Sequence, residues 1–337
     1  MHKMVIENRN HTIDILKGIA ITLVVFGHIT HIDILHDYIW SFHMPIFFII
    51  SGFLFQPAKY SNFTIFFKKK IASLILPYFI FGVATYIYWL LVERRFRGNE
   101  LDPLAQLVGL FYGSRYGHFL DFNGPLWFIP CLFSMSVLFY FVQKLKGEKR
   151  FAVVLCLFVS GVITKGLCPW LPFGMCAASI GSIFYWWGGQ YVQFLETFTI
   201  KNKYVIILII ILFVGIQFIM LPYSNANLAK LEIGNPIIYL SLAFVGFIVY
   251  YMSARLIGSS SVLEWLGKNS LVIFALHGPV YRALLFCCSH IINTSVSDLR
   301  ENILGCLIMT ICTMSLITPF ICCWIRWGQP LIHKFSR

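Results

Sequence analysis

The chain has 337 residues, of which 58% are hydrophobic and only 12% charged, and its formal net charge is +12. With a mean hydropathy of +0.77, this composition is too apolar for a water-soluble globular protein. The sequence therefore predicts an integral membrane protein. The long apolar runs, without strand-like alternation, indicate an all-α polytopic helical bundle.

A transmembrane helix needs about 20 apolar residues, and runs of that length recur along the whole chain. The longest gap between them, residues 93–123, predicts a loop. We therefore predict one membrane domain over residues 1–337, without a separate soluble domain. Its helices, about ten in number, are expected at approximately 13–31, 38–57, 71–92, 124–143, 151–166, 175–195, 204–222, 235–257, 269–290 and 302–325.

The lysines and arginines predict the orientation, because they prefer the cytoplasmic side of a membrane. With the N-terminus inside, most of the 26 fall on cytoplasmic segments, so both termini are predicted to be cytoplasmic. The exception is the 93–123 loop, whose four arginines, among them Arg115, fall outside. Long loops follow the rule weakly, but these arginines could also meet an anionic lipid or sugar phosphate. The topology explains the net charge, and no basic domain indicates nucleic-acid binding.

The ten cysteines lie almost entirely in apolar spans and lack metal-ligand spacing. We interpret them as small buried hydrophobes, not as disulfides or metal ligands. No metal site and no tightly bound cofactor is predicted.

The first span carries ionisable residues, which are functional candidates because they are costly in lipid. Lys17 and His28 are eleven positions apart, which places them on one helix face about 16 Å apart, with His28 deep in the span. Asp14 precedes Lys17 by about one turn and can pair with it. The alternatives are that Lys17 only reaches back to the headgroups and that His28 is a hydrogen-bonded packing residue.

Further polar and small residues mark the second, fourth and ninth spans. His43 stands just before Pro45, and Ser51-Gly52 offers a small surface on which another helix can pack closely. The tripeptide His277-Gly278-Pro279 predicts a broken helix. The aromatic residues that could form a sugar-stacking wall are more ordinarily anchors at the membrane interface; they are Trp127, Phe128, Trp186 and Trp187.

Several of these residues together resemble the signature of the membrane acyltransferase-3 family, closest to its fucose 4-O-acetylase-like branch. Two departures from the family are that lysines stand where arginines are common and that an appended SGNH hydrolase-like domain is missing. Spans five to eight match by hydropathy only. The residues that carry the resemblance are Lys17 with ten residues to His28, Phe42 to Phe48 with Ser51-Gly52, Lys68-Lys69-Lys70 before Leu76-Pro77-Tyr78, Leu126-Trp127-Phe128, Asn269-Ser270-Leu271 and His277-Gly278-Pro279.

The resemblance implies a multi-pass O-acetyltransferase of the bacterial cytoplasmic (inner) membrane. Its donor substrate would be acetyl-CoA. Its acceptor would be a hydroxyl of a cell-surface polysaccharide, such as an O-antigen or capsule unit, or of a polyprenol-linked sugar. The expected partners are thus acetyl-CoA, a glycan acceptor and membrane lipids.

The residues suit this chemistry. Lys17, Lys68 and Lys70 can hold the CoA phosphates as point charges. His28 can deprotonate the acceptor hydroxyl or accept the acetyl group itself. His277 can orient the acceptor, stabilise the oxyanion or cap a broken helix, and Asp14, His43 and Ser51 are supporting candidates.

The main alternative is a transporter or flippase for a lipid-linked sugar or small solute. Such a protein would more often show matched interrupted segments in two halves, and the sequence shows none. A non-catalytic scaffold would leave the aligned Lys17 and His28 unexplained.

Overall fold

The computed structural model describes residues 10–97, 101–115, 117–167, 170–197, 200, 202–224 and 226–335. Residues 1–9 and 336–337, whose charges enter the prediction that both termini are cytoplasmic, lie outside the described residues. So do residues 98–100 of the predicted outer loop.

The described chain is built from α-helices joined by short 3-10 and π-helical segments. In the first half these are α1 (His11–Ile29), α2 (Asp33–Trp40), α3 (His43–Phe53), α4 (Phe63–Lys70), α5 (Leu76–Tyr88), α6 (Arg94–Arg97), α7 (Pro103–Tyr112) and α8 (Phe128–Val142). In the second half they are α9 (Gly147–Leu167), α10 (Met175–Thr197), α11 (Lys203–Met220), α12 (Pro236–Ile257), α13 (Ser261–Lys268), α14 (Ser270–Ile292), α15 (Val296–Glu301), α16 (Ile303–Cys323) and α17 (Gln329–Phe335).

The predicted fold class, an all-α polytopic membrane protein, is confirmed. Among the described residues, 7 helices are long and apolar enough to cross a membrane. The most apolar of them, α11, also exposes its side chains: Leu208, Ile211 and Ile219 are 55%, 61% and 73% exposed. Such a surface is stable in lipid and not in water. The number of about ten spans stays a prediction.

The second predicted span, 38–57, is wrong as a single helix. The chain turns at Ser41 and Phe42, between α2 and α3, and the backbone of Phe42 is not helical (φ −138°, ψ −18°). Pro45 then lies in the first turn of α3, where its missing N–H has no helical partner to lose. A new helix therefore begins at His43.

The prediction of a loop over 93–123 is also wrong, because the segment contains α7. Asp102 accepts hydrogen bonds from the N–H groups of Leu104 and Ala105, and Pro103 occupies the first helical position. Gly113, with φ +68°, ends the helix in the left-handed conformation that glycine adopts without strain. These are strong start and stop signals in the sequence.

A single helical rod runs from Phe63 to Phe96 and contains α4, α5 and the first part of α6 with two π-helical segments, Ile71–Ile75 and Trp89–Glu93. Its 34 residues give it a length of about 51 Å, whereas the hydrocarbon core of a bilayer is about 30 Å thick. The rod therefore extends beyond the apolar layer. The lysine cluster lies near its first end and Glu93 near its last.

The close helix contact predicted at Ser51-Gly52 is confirmed. A Cβ atom on Gly52 would collide with the backbone of Tyr185 in α10. Reciprocally, a Cβ atom on Gly188 of α10 would collide with the backbone of Ile49 in α3. The two helices thus pack backbone to backbone, as small residues allow in membranes.

The interpretation of the cysteines as buried holds only in part. Cys131 and Cys306 are buried, but four others are exposed on the apolar surface. Lipid is as apolar as a protein core, so nothing drives a thiol inward. The exposed ones are Cys156, Cys287, Cys322 and Cys323.

Candidate functional site

His28 lies in the last turn of α1, so the prediction that it is deep in the first span is wrong. The helix ends at Ile29: the N–H of Thr30 still donates to the carbonyl oxygen of Phe26 (2.9 Å), but the N–H of His31 no longer bonds within the helix. The N–H of His31 donates to the carbonyl oxygen of Arg300 (2.8 Å). The predicted alignment with Lys17 is retained, since α1 is continuous between the two residues and separates them by about 16 Å along its axis.

Four aromatic rings from four helices, α1, α2, α3 and α14, cluster at this end of α1. The ring centroids of His28 and His277 are 5.0 Å apart, and those of His28 and Trp40 are 5.3 Å apart. Trp40 also contacts His43 at 5.4 Å. The turn between α2 and α3 is what brings Trp40 and His43 to His28. Three of the histidines named from sequence therefore lie together.

His277 is fully buried, and its tautomer follows from its partners. Its Nδ1 lies 2.8 Å from the carbonyl oxygen of Phe274 and 3.2 Å from that of Ile273. A carbonyl oxygen only accepts, so Nδ1 carries the hydrogen and Nε2 presents a lone pair. That Nε2 has no hydrogen-bond partner within the described part of the chain. An orphaned buried acceptor beside a second imidazole indicates a functional role.

The predicted helix break at His277-Gly278-Pro279 is wrong, because α14 runs without interruption from Ser270 to Ile292. Pro279 lacks the N–H that would reach the carbonyl oxygen of Ala275. The side-chain amide of Asn123 donates to that oxygen instead (2.9 Å). Gly278 allows this approach, since a Cβ atom there would lie 3.0 Å from the Asn123 Oδ1 atom.

A small cavity of about 20 Å³ opens beside His28 and His43, and Arg115 and Trp127 also line it. Arg115 and Trp127 continue into a neighbouring cavity of about 160 Å³, whose lining includes Lys230. Trp127 is only 5% exposed. Its interpretation as a membrane-interface anchor is therefore wrong: it forms a wall of both cavities.

Arg115 was named from sequence only as one of four loop arginines that could meet an anionic lipid or sugar phosphate, and the structure places it on the lining of both cavities. Its Nη2 atom forms an ion pair with Asp121 Oδ1 at 2.9 Å, and His118 Nδ1 lies 3.3 Å from the other oxygen of Asp121. The signal that could have singled it out is its position shortly before Asn123-Gly124-Pro125, a turn-forming sequence that leads into Leu126-Trp127-Phe128.

A buried ion pair near His277 was also missed. Arg282 Nε lies 2.5 Å from Glu93 Oε1, and the Glu93 side chain is fully buried. Arg282 also donates to the carbonyl oxygen of Phe122 (2.6 Å). The signal was present, because Arg282 falls inside the ninth predicted span, where a lone charge requires a partner. The ion pair fixes α14 against the long rod and the segment before Asn123.

The predicted donor lysines lie apart from the histidines. Lys68 and Lys69 line a cavity of about 740 Å³ together with Phe335. The Lys70 ammonium instead lies 5.8 Å from the ring centroids of both Phe55 and Phe66. Lys17 is half-buried on α1. No lysine is among the described residues that line the cavity beside His28.

The supporting candidates hold the helices together. Asp14 is buried, and its backbone carbonyl faces Gly267 of α13 so closely that a Cβ atom on Gly267 would collide with it. Ser51 is half-buried beside the α3–α10 contact. His43 Nδ1 donates to the carbonyl oxygen of Ile39 (2.9 Å). Among the described residues, no group of three or more His, Cys, Asp or Glu side chains is arranged to hold a metal ion.

An all-helical membrane bundle with a histidine pair beside a cavity that an arginine and a tryptophan also line has the construction of a membrane-embedded group-transfer enzyme. The chain belongs to the acyltransferase-3 family, because the family model, described as an acyltransferase domain, matches residues 10–322. The protein is therefore a membrane O-acyltransferase, and membership of this family argues against the alternative of a transporter or flippase.

A curated relative supports this assignment. The chain is 24% identical to the nodulation protein NolL of Mesorhizobium japonicum over 339 aligned positions, which cover 90% of this chain and 86% of the relative. No solved structure matches the chain significantly.

Proposed function

We propose that the protein transfers acetyl from cytoplasmic acetyl-CoA to a hydroxyl of a cell-surface polysaccharide, such as an O-antigen or capsule unit, or of a polyprenol-linked sugar, in the bacterial inner membrane. The observation that carries this proposal is the contact between His28 and His277, with His28 facing the cavity and His277 buried behind it. A hydroxyl nucleophile is activated by an adjacent general base, and that base is in turn held in place by a third group.

The two imidazoles supply these roles for attack by an alcohol. His28 takes the proton of the acceptor hydroxyl as its oxygen bonds to the acetyl carbonyl carbon. The carbon–sulfur bond of the thioester then breaks, and the imidazolium returns its proton to the CoA thiolate. His277 is the proposed positioning residue: its Nε2 lone pair has no hydrogen-bond partner among the described residues and lies beside the His28 ring, so it can accept the N–H of the His28 imidazolium once the two rings turn towards each other.

The donor is proposed to reach this centre from the lysine end of the bundle. Lys68 and Lys69, on the cavity of about 740 Å³, are placed to attract the CoA phosphates. Lys17, in the N-terminal half of α1, lies about 16 Å from His28 along the axis, which is of the order of an extended pantetheine arm. The CoA phosphates are thus held at the lysines, and the thioester reacts at His28. No tightly bound cofactor enters the reaction.

Transfer of radiolabel from [14C]acetyl-CoA in purified proteoliposomes tests the proposal, with a bacterial extract of lipid-linked and polymeric glycans as acceptor. The native protein should produce a labelled glycan. His28→Ala should reduce turnover by about 10²- to 10⁴-fold, the usual contribution of a general base, while acetyl-CoA affinity is retained. Near-normal turnover by that variant, or the absence of labelled product with native protein, would overturn the proposal.

A covalent acetyl-histidine route is distinguished in the same system. If His28 instead carries the acetyl group, native protein incubated with labelled donor alone should retain acid-labile label, whereas direct transfer leaves the protein unlabelled.

A further inference from the structure

We propose that the acceptor, in the function proposed above, is an anionic sugar whose carboxylate or phosphate is held by Arg115 and Lys230. The proposal rests on the cavity of about 160 Å³ that these two residues line. The cavity lies next to the smaller one beside His28, and the two share Arg115, Trp127 and Ala229 as lining residues. A ring in the larger cavity therefore lies beside the candidate base.

The size of the cavity matches one ring. Enclosed cavities of about 150 Å³ hold a single benzene molecule, so this one admits one sugar ring and not a nucleotide or a long glycan. The adenosine diphosphate part of CoA is too large for it. The cavity thus suits the acceptor and not the donor.

The charge of the lining selects an anion. Arg115 and Lys230 contribute two cations, and the other described lining residues are small or apolar, without a carboxylate. Asp121 compensates Arg115 through their ion pair, but it is not among the lining residues. Lys230 is exposed at the entrance and adds a second positive charge. An arginine fork and a point charge together favour a carboxylate or phosphate.

Trp127 gives the cavity its selectivity for a sugar. Its indole is almost fully buried and forms a wall of both cavities. An aromatic face next to cations suits a ring whose C–H groups face the indole while its charged substituent faces the guanidinium. These lining residues all belong to the side that the charge count assigns to the outside; they are Ser114, Arg115, Gly117, Trp127, Ala229, Lys230 and Leu231.

Binding to the purified full-length protein tests the proposal independently of acetyl transfer. The probes are glucose, glucuronic acid and glucose 1-phosphate, which differ only in the anionic group, and tryptophan fluorescence or thermal shift reports binding. We expect at least one anionic probe to bind about tenfold more tightly than glucose, with a preference that falls as ionic strength rises. The two anionic probes separate a uronic acid from a sugar phosphate.

Lys230→Gln should reduce this preference several-fold, and Arg115→Gln should abolish it. Lys165→Gln is the matched control, because Lys165 lies on the same predicted side and is not among the described lining residues. It should bind like native protein. Since Arg115→Gln also removes the Asp121 ion pair and could unfold the loop, Lys230→Gln decides the matter.

Equal affinity for glucose and both anionic probes, or an unchanged preference in Lys230→Gln, would overturn the inference while leaving the acetyl-transfer proposal intact. Anion preference without any transfer from acetyl-CoA would support the site and contradict the proposed donor.

Discussion

The guanidinium of Arg300 donates two hydrogen bonds to the end of α1, one to the carbonyl oxygen of His28 (2.9 Å) and one to that of Ile29 (2.7 Å). The last carbonyls of a helix have no intrahelical donor. Arg300 therefore completes α1 at the residue that carries the candidate base, across a sequence separation of about 270 residues. It fixes the backbone of His28 and not its ring.

Replacing Arg300 should lower turnover without weakening donor binding. Arg300→Gln loses the forked geometry, so we expect kcat to fall about tenfold with an unchanged KM for acetyl-CoA. The kcat of Arg300→Lys should lie between those of the native protein and Arg300→Gln, because an ammonium group holds the two carbonyl oxygens less precisely than a guanidinium does. Steady-state kinetics in proteoliposomes measure both constants. A change confined to KM would contradict a positioning role.

The neighbouring His31 gives an independent readout of the same substitution. Partial burial and, after it, the charge of Arg300 lower the pKa of His31 below its usual value. Arg300→Gln should therefore raise the pKa of His31 towards that value, as followed by NMR titration of the imidazole. No rise would mean that the Arg300 guanidinium is not held beside the end of α1.

The lone pair of His277 should matter to turnover more than its volume does. His277→Ala and His277→Phe both remove the Nε2 lone pair that is proposed to accept from the His28 imidazolium, so kcat should fall about 10- to 100-fold in each. His290→Ala is the matched control, because His290 lies on the same helix and its Nδ1 also bonds a carbonyl four residues back (2.9 Å to Phe286), but it is exposed. Full activity of His277→Phe would show that the residue only packs.

Lys68 and Lys69 should bind the donor by charge, whereas Lys70 should not. The double variant Lys68→Gln/Lys69→Gln should weaken acetyl-CoA binding about fivefold at low salt and much less at high salt, since these charges are exposed. Lys70→Gln should change affinity little, because its ammonium lies over two phenylalanine rings. Isothermal titration at two ionic strengths measures this. A larger loss of acetyl-CoA affinity in Lys70→Gln than in the double variant would support the prediction from sequence that Lys70 holds a CoA phosphate. The affinity of Lys17→Gln is measured in the same way, because Lys17 was also predicted to hold a phosphate.

Breaking the ion pair between Glu93 and Arg282 should be more damaging than removing it. Glu93→Ala leaves a buried guanidinium charge uncompensated, at a cost of about 3–5 kcal/mol. The double variant Glu93→Gln/Arg282→Met removes both charges and should regain a large part of that stability. Thermal unfolding in detergent compares the two proteins. A melting temperature of the double variant equal to or below that of Glu93→Ala would contradict this expectation.

The backbone contact between α3 and α10 should not tolerate a side chain. Gly52→Leu forces the two helices apart, so we expect a loss of about 3 kcal/mol or more. Gly215→Leu is the control, because a Cβ atom there meets nothing within 4 Å. The melting temperature should fall only in Gly52→Leu. A fall of similar size in both would indicate a general effect of leucine on insertion.

The sequence predicted those features that depend on residues close together in the chain. Apolar length predicted the helices, and helical periodicity placed Lys17 and His28 on one helix. The small residues Ser51-Gly52 predicted a close crossing. By contrast, the positions of Trp40, Arg115 and Asn123 at the site were not predicted, because they lie at the end of a short helix, in a loop and in a 3-10 segment, and reach the site by tertiary contacts. The short α2 was missed because it was read as one span with α3.

The hydrogen bond from Asn123 to Ala275 has a consequence for how the protein assembles. Pro279 leaves the middle of α14 with a carbonyl group that nothing in its own helix can satisfy, and lipid offers no donor. The missing donor belongs to a segment synthesised about 150 residues earlier. The centre of α14, where His277 resides, is thus complete only after it docks against residues 121–127. The imidazole pair is therefore assembled as a product of tertiary folding, and a partly inserted chain contains no competent site.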